Sequence, residues 1–209
     1  MYIRIKKGGS IMWRILVVSL ALFLVLGISS LARAEDKVVF GFEKDNQGWE
    51  IPEWAVEQTD YVAKSVDVSK DFAKEGKSSL KVMVVFPGKT WTGALVEDFE
   101  YFDWTPYKAI SADIYIPKEA PQGLKAKIIL TVGENWKFVE MARSIPLIPG
   151  EWTTISANLM PGSEDWKKMV VDEAFRKDVR KVAIRVEANK KPEYSGPIYI
   201  DNIKLSATK

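Results

Sequence analysis

From Val38 onward, apolar and polar residues alternate in short runs separated by turn residues. Leu80, Val82, Val84 and Phe86 share one parity; Ser79, Lys81, Met83 and Val85 share the other. Period-2 alternation of this kind predicts a strand with one buried face. The same reading predicts strands over Val38–Glu43, Ser78–Phe86, Trp91–Phe99, Ala109–Ile116, Leu124–Val132, Trp136–Met141, Trp152–Leu159 and Lys181–Ala188, with a further one near Thr59–Val66. Gly133-Glu134-Asn135 is a tight hairpin turn. Asp165–Arg180 is the one helical stretch, read as two short turns parted near Val171-Asp172, and Ile51–Val68 is otherwise irregular.

The last run, Ile198–Leu205, changes parity. Ile198 and Ile200 face one way, and after Asp201-Asn202 the inward set resumes at Ile203 and Leu205. That change predicts a bulge, centred on an acidic residue that needs a donor or a cation if buried. Many short strands at regular spacing predict an all-β fold, an antiparallel jelly-roll β-sandwich. Its first and last strands are expected side by side, bringing Glu43 towards Asp201.

The chain starts differently. Arg4, Lys6, Lys7 and Arg14 precede the apolar run Ile15–Ile28, and Ala32-Arg33-Ala34 follows. This is the pattern of a cleavable signal peptide over residues 1–34, leaving one β-sandwich domain over 35–209. The product is expected to be exported, periplasmic or extracellular, and free of the membrane after cleavage. Lys6-Lys7-Gly8-Gly9 also reads as a translated ribosome-binding sequence, which makes Met12 an alternative start.

Composition then narrows the chemistry. The 209 residues include no cysteine and no histidine. Thiol chemistry, disulfides, zinc sites and His-based catalysis are excluded, and any metal must take oxygen ligands, calcium foremost. The leader holds five of the 30 basic side chains and none of the 28 acidic ones, so the remainder carries about −3. Nucleic-acid binding has no electrostatic support.

Seven tryptophans follow the leader. Trp104 and Trp152 adjoin apolar runs and read as core or rim. Trp91 and Trp136 open strands after turns, which puts their indoles near a sheet end or an open face. Off the core parity lie Asp113 and Tyr115 on one strand and Arg185 and Glu187 on another. If those strands share a sheet, aromatic and polar groups meet on one face. A flat ring stacks on the C–H face of a pyranose while carboxylate, amide and guanidinium groups pair with its hydroxyls. Each feature also has a plainer reading, as core packing or a solvated sheet face. A carboxylate pair for glycoside hydrolysis would have to come from Asp113 and Glu187, and a small sandwich with one shallow face rarely supplies one. Glu43 and Asp201, with backbone carbonyls of Glu75–Ser78, make a candidate calcium site; the alternative is pairing with Lys or Arg.

These features, in this order, resemble the calcium-containing β-sandwich carbohydrate-binding modules of the galactose-binding-domain-like fold. The resemblance rests on Phe40-Gly41-Phe42-Glu43, Gly48-Trp49, Gly76-Lys77-Ser78-Ser79-Leu80, Trp104-Thr105-Pro106-Tyr107, Gly133-Glu134-Asn135-Trp136, Gly150-Glu151-Trp152 and Tyr199-Ile200-Asp201-Asn202-Ile203. It implies a glycan-binding face using Trp91, Trp136, Asp113, Tyr115, Arg185 and Glu187, a structural calcium on Glu43 and Asp201, and no catalysis. Gly41 stands where related modules often carry an acid, which thins the metal site. The implied partners are a glycan and a glycoside hydrolase or envelope protein; an envelope interaction module without sugar binding is the alternative.

Overall fold

The inward-facing apolar residues assemble two antiparallel sheets around one core. The computed structural model describes residues 35–190 and 192–208; the expected leader lies outside them. Eleven strands run in order: β1 (Lys37–Phe40), β2 (Ala63–Ser69), β3 (Ser79–Pro87), β4 (Thr92–Phe102), β5 (Tyr107–Tyr115), β6 (Lys125–Val132), β7 (Lys137–Glu140), β8 (Ile145–Pro146), β9 (Trp152–Asn158), β10 (Val179–Ala188) and β11 (Glu193–Ala207). Sheet A has the order β2-β3-β11-β5-β9, with β1 also on β11; sheet B has the order β4-β10-β6-β7, with β8 also on β6. The fold is thus an all-β antiparallel sandwich, as the alternation predicts.

The core is built from the predicted parities. Leu80, Val82, Val84, Ile110, Ile114, Ile198 and Ile200 of sheet A meet Val96, Ile128, Leu130, Val182, Ile184 and Val186 of sheet B, all nearly fully buried. At about 1.5–3 kcal/mol per fully buried apolar side chain, this interface is the main source of stability. Phe42, Trp49 and Trp104 are buried there too.

β11 links the two halves of sheet A. Along one edge it pairs first with β3, up to Ile200↔Leu80, and then with β1, from Ile203↔Phe40. On its other edge the register to β5 steps from Asp201↔Asp113 to Lys204↔Ser111, three residues against two. Asn202 has φ 48° at this step. This is the bulge that the parity change predicts.

Helix is scarcer and partly elsewhere. Within Asp165–Arg180 only α2 (Glu173–Lys177) is helical, capped by Asp172, whose carboxylate accepts a hydrogen bond from Phe175 N at 2.8 Å. Residues before Asp172 form turns instead, because Trp166 is drawn into the core with its indole N–H on the Asn158 carbonyl at 2.8 Å. One turn of helix, α1 (Glu53–Val56), falls in the stretch read as irregular.

Candidate functional site

Strand register places side chains on the outer face of sheet B in rows. Gly93, Glu187 and Lys125 lie level with one another; then come Leu95, Arg185 and Lys127; then Glu97, Ala183, Ile129 and Glu140; then Phe99, Lys181, Thr131 and Phe138. Leu95, Ile129 and Ala183 form a small buried apolar cluster with Tyr61 packed on it.

Charges cross this floor. Arg185 Nη2 lies 2.7 Å from Glu140 and 3.1 Å from Glu187, whose carboxylate also accepts a hydrogen bond from the Ser144 hydroxyl. Glu140 is reached as well by Lys167 at 2.9 Å and Lys127 at 3.6 Å. Burial works against the Glu140 carboxylate, but the Lys167 hydrogen bond and the Arg185 charge outweigh it and hold its pKa below the ordinary range. Lys181 pairs with Glu97. Such a network holds its side chains in fixed orientations, because each buried charge depends on its partner.

Aromatic rings stand at both ends. At one end, residues 50–62 run along the free edge of β4: Glu50 and Glu97 exchange backbone hydrogen bonds of 2.9 Å, and Val62 N donates to Gly93 O at 2.9 Å. This segment carries Trp54 and Tyr61 to Trp91, with ring centroids 4.9 Å apart for Trp54–Tyr61 and 6.2 Å for Tyr61–Trp91. The Arg185 guanidinium lies 5.3 Å from the Trp91 ring centre. Gly93 makes room for this: a β-carbon there would lie 3.1 Å from Arg185 Cδ and 3.3 Å from the Trp91 ring.

At the other end, Trp136 closes the β6–β7 turn with φ 52°. Its ring is 5.6 Å from Phe99, and the Arg180 guanidinium is 5.0 Å from it and 5.4 Å from Tyr101. Asp178 grips Arg180 through two 2.9 Å hydrogen bonds. Phe99, Tyr101, Trp136 and Phe138 are 44–61% exposed, an unusual concentration of open rings on one face. Trp91 stands over Arg185 and Trp136 over Arg180, five residues along β10, so the two ends are roughly 17 Å apart at ~3.3 Å per residue.

Asp113 and Tyr115 are not on this face. Their strand, β5, belongs to sheet A, so their outer side points away from Arg185 and Glu187. Equal parity was right for each strand, but the two outer faces are on opposite sides of the sandwich. Asp113 is buried, accepting hydrogen bonds from the Thr154 hydroxyl and from Asn202 Nδ2, the latter at 2.8 Å. Tyr115 stacks under Phe72 at 4.4 Å, beside Trp152 and Tyr199. The carboxylate pair Asp113–Glu187 does not form. The residues that sequence reasoning missed are Trp54, Tyr61, Phe99, Tyr101 and Glu140; for Phe99 and Tyr101 the signal was their parity, opposite to Ala94 and Val96.

Glu43 and Asp201 converge on the loop before β3. Lys77 N donates to both Glu43 carboxylate oxygens at 3.1 Å. Asp201 Oδ2 accepts from Lys74 N at 2.7 Å and Glu75 N at 3.1 Å, and its Oδ1 accepts from Asn202 N at 2.7 Å. The loop therefore turns N–H groups towards the acids where carbonyls were expected. Neither acid has a Lys or Arg within 4.0 Å among the described residues. Beside them the Asn202 amide oxygen is buried without a partner. Two carboxylates without a cationic side chain beside them, each with spare lone pairs, suit an oxygen-seeking cation such as calcium. Among the described residues no third acid joins them, so the remaining ligands would be the Asn202 amide oxygen and water.

A family model described as carbohydrate binding module 27 matches residues 32–208. A search of curated proteins found no match. Among solved structures, the CBM27-1 module of Caldicellulosiruptor saccharolyticus, in complex with mannohexaose, is 22% identical with a TM-score of 0.57, over 83% of this chain and 97% of that one. A CBM28 module specific for non-crystalline cellulose is 13% identical with a TM-score of 0.56, over 78% and 89%. A third module, TmCBM27, studied for specific mannan recognition, is 17% identical with a TM-score of 0.50, over 84% and 97%. At these identities the likeness speaks to the fold.

Proposed function

The chain belongs to the carbohydrate binding module 27 family, and from that premise we propose that it is a non-catalytic, exported binding protein for a mannan-type polysaccharide or oligosaccharide, held on the outer face of sheet B. The observation that carries this reading is the placing of two aromatic groups, Trp54–Tyr61–Trp91 and Phe99–Tyr101–Trp136, at the ends of one face with fixed charges between them. Rings stack on sugar C–H faces, and the Glu140, Arg185 and Glu187 network presents donors and acceptors already oriented for hydroxyls. The mannohexaose and mannan named for two relatives support the choice of glycan.

Asp113 and Tyr115 drop out of this site. Trp91, Trp136, Arg185 and Glu187 remain, joined by Trp54, Tyr61, Phe99 and Tyr101. Calcium on Glu43 and Asp201 has a structural role in this reading, tying β1, β11 and the loop Lys74–Lys77 together. A glycoside hydrolase or envelope protein is the associated partner, and cleavage of residues 1–34 delivers the domain outside the cytoplasm.

Calorimetric titration against a panel of manno-, cello- and xylo-oligosaccharides tests the reading. Trp91→Ala and Trp136→Ala are each expected to weaken manno-oligosaccharide binding about tenfold or more. Unchanged affinity in both variants refutes the site, and no glycan binding by the unaltered protein refutes the function. Added calcium is expected to raise the unfolding midpoint and a chelator to lower it; no response to either refutes the metal.

A further inference from the structure

The platform does not end at Trp136. Past it, where β4 ends and α2 faces the β6–β7 turn, a cavity of about 540 Å³ opens, within the ~300–1,000 Å³ typical of ligand pockets. Tyr101 and Phe102 form its wall, and Asp103, Glu134, Lys177 and Asp178 line it with Gly133 and Ala174. Tyr101 is shared: its ring lies 5.7 Å from Phe99 on the platform. Glu134 belongs to the same turn as Trp136, which donates its backbone N–H to Gly133 O at 3.0 Å. The Arg180 guanidinium, 5.0 Å from the Trp136 ring and 5.4 Å from the Tyr101 ring, connects the platform to the cavity wall.

The lining is mainly apolar with a few polar groups, which suits a ligand that stacks one face and hydrogen-bonds through its edge. Asp103 Oδ1 is taken by Thr105 N at 2.9 Å and by the Thr105 hydroxyl at 2.6 Å, while no side-chain hydrogen bond falls on Oδ2 among the described residues. Glu134 and Lys177 likewise make no ion pair within 4.0 Å there. Three carboxylates, of which Asp178 is already held by Arg180, and the Lys177 ammonium stand around the Tyr101 and Phe102 rings, which gives a sugar that stacks there both acceptors and a donor.

Resting on the reading that sheet B binds glycan, we propose that this cavity is a further pyranose subsite, taking the unit beyond Trp136, either the next in the chain or a side branch.

Calorimetry on the full chain tests it with a short linear manno-oligosaccharide, a long linear one and a galactose-branched one. Ala174→Trp, at an exposed position of α2, fills the cavity; Lys177→Ala removes its donor without bulk. The short ligand is expected to bind both variants within twofold of the unaltered protein and so reports on folding. A five- to tenfold loss with Ala174→Trp, and a smaller one with Lys177→Ala, confined to the long linear ligand assigns the cavity to chain continuation. The same loss confined to the branched ligand assigns it to a side branch. Unchanged affinities for all three ligands overturn the subsite while leaving the platform intact. Failure of the unaltered protein to bind any of them overturns both.

Discussion

Arg185→Ala tests how the platform is held. The guanidinium serves three neighbours: Glu140 at 2.7 Å, Glu187 through Nε and Nη2 at 3.1 Å, and the Trp91 ring. Without it, Glu140 keeps Lys127 and Lys167, but Glu187 keeps only the Ser144 hydroxyl. Removing one partner of a buried pair costs about 3–5 kcal/mol. Because Glu140 retains two cations and the site opens to solvent, the lower end, about 3 kcal/mol, is expected. Urea unfolding measures it. Adding Glu187→Ala removes the stranded charge, so the double variant is expected to recover about 1–2 kcal/mol. In the glycan titration, Arg185→Ala should also weaken binding about fivefold, since Trp91 loses a cation–π contact worth about 1 kcal/mol. Stability within about 0.5 kcal/mol of the unaltered protein, or no recovery in the double variant, would refute the brace.

Gly76→Ala is expected to destabilise by about 1–3 kcal/mol, because φ is +66° and a β-carbon would collide with the Glu43 carboxylate; thermal unfolding checks it. Asp98 is pushed up to about 6 by burial and by Glu100, Glu50 and Glu97, and its Oδ2 has no partner. The folded state thus holds this proton more tightly than the unfolded one, so stability falls as pH rises from about 4 to 6. Asp98→Asn is expected to be more stable than the unaltered protein by about 1–2 kcal/mol at neutral pH, with the difference vanishing near pH 4; a constant difference across that range refutes the assignment. Trp54→Ala should weaken glycan binding severalfold with only a small change in the unfolding midpoint, since its indole is 44% exposed and packs only on Tyr61 among the aromatic rings; titration and thermal unfolding together decide.

Alternation carried much of the architecture. The inward sets of β3, β5, β6, β10 and β11 were legible, as was the bulge at Asp201-Asn202, because a buried face leaves a period-2 imprint. Which sheet each strand joins leaves no such imprint. Asp113 and Glu187 each sit off the core parity, yet β5 and β10 are in different sheets, and only pairing could reveal it. Trp54 was hidden for another reason: one turn of helix on a sheet edge is too short to show a 3.6-residue period. The orientation of peptide groups around Glu43 and Asp201 was equally invisible, since a loop sequence does not say whether its N–H or C=O groups turn inward.

The place of β11 has a consequence for how the protein is made. Among the described strands, the one that joins β3 to β5 is synthesised after the others, and both halves of sheet A depend on it. Until residues Glu193–Ala207 emerge, β2–β3 and β5–β9 are two separate ribbons with open edges, a state prone to mispairing. Sheet B needs only β10 to complete its own ladder. Sheet B can therefore complete its ladder before sheet A, whose two ribbons are joined only when β11 is in place.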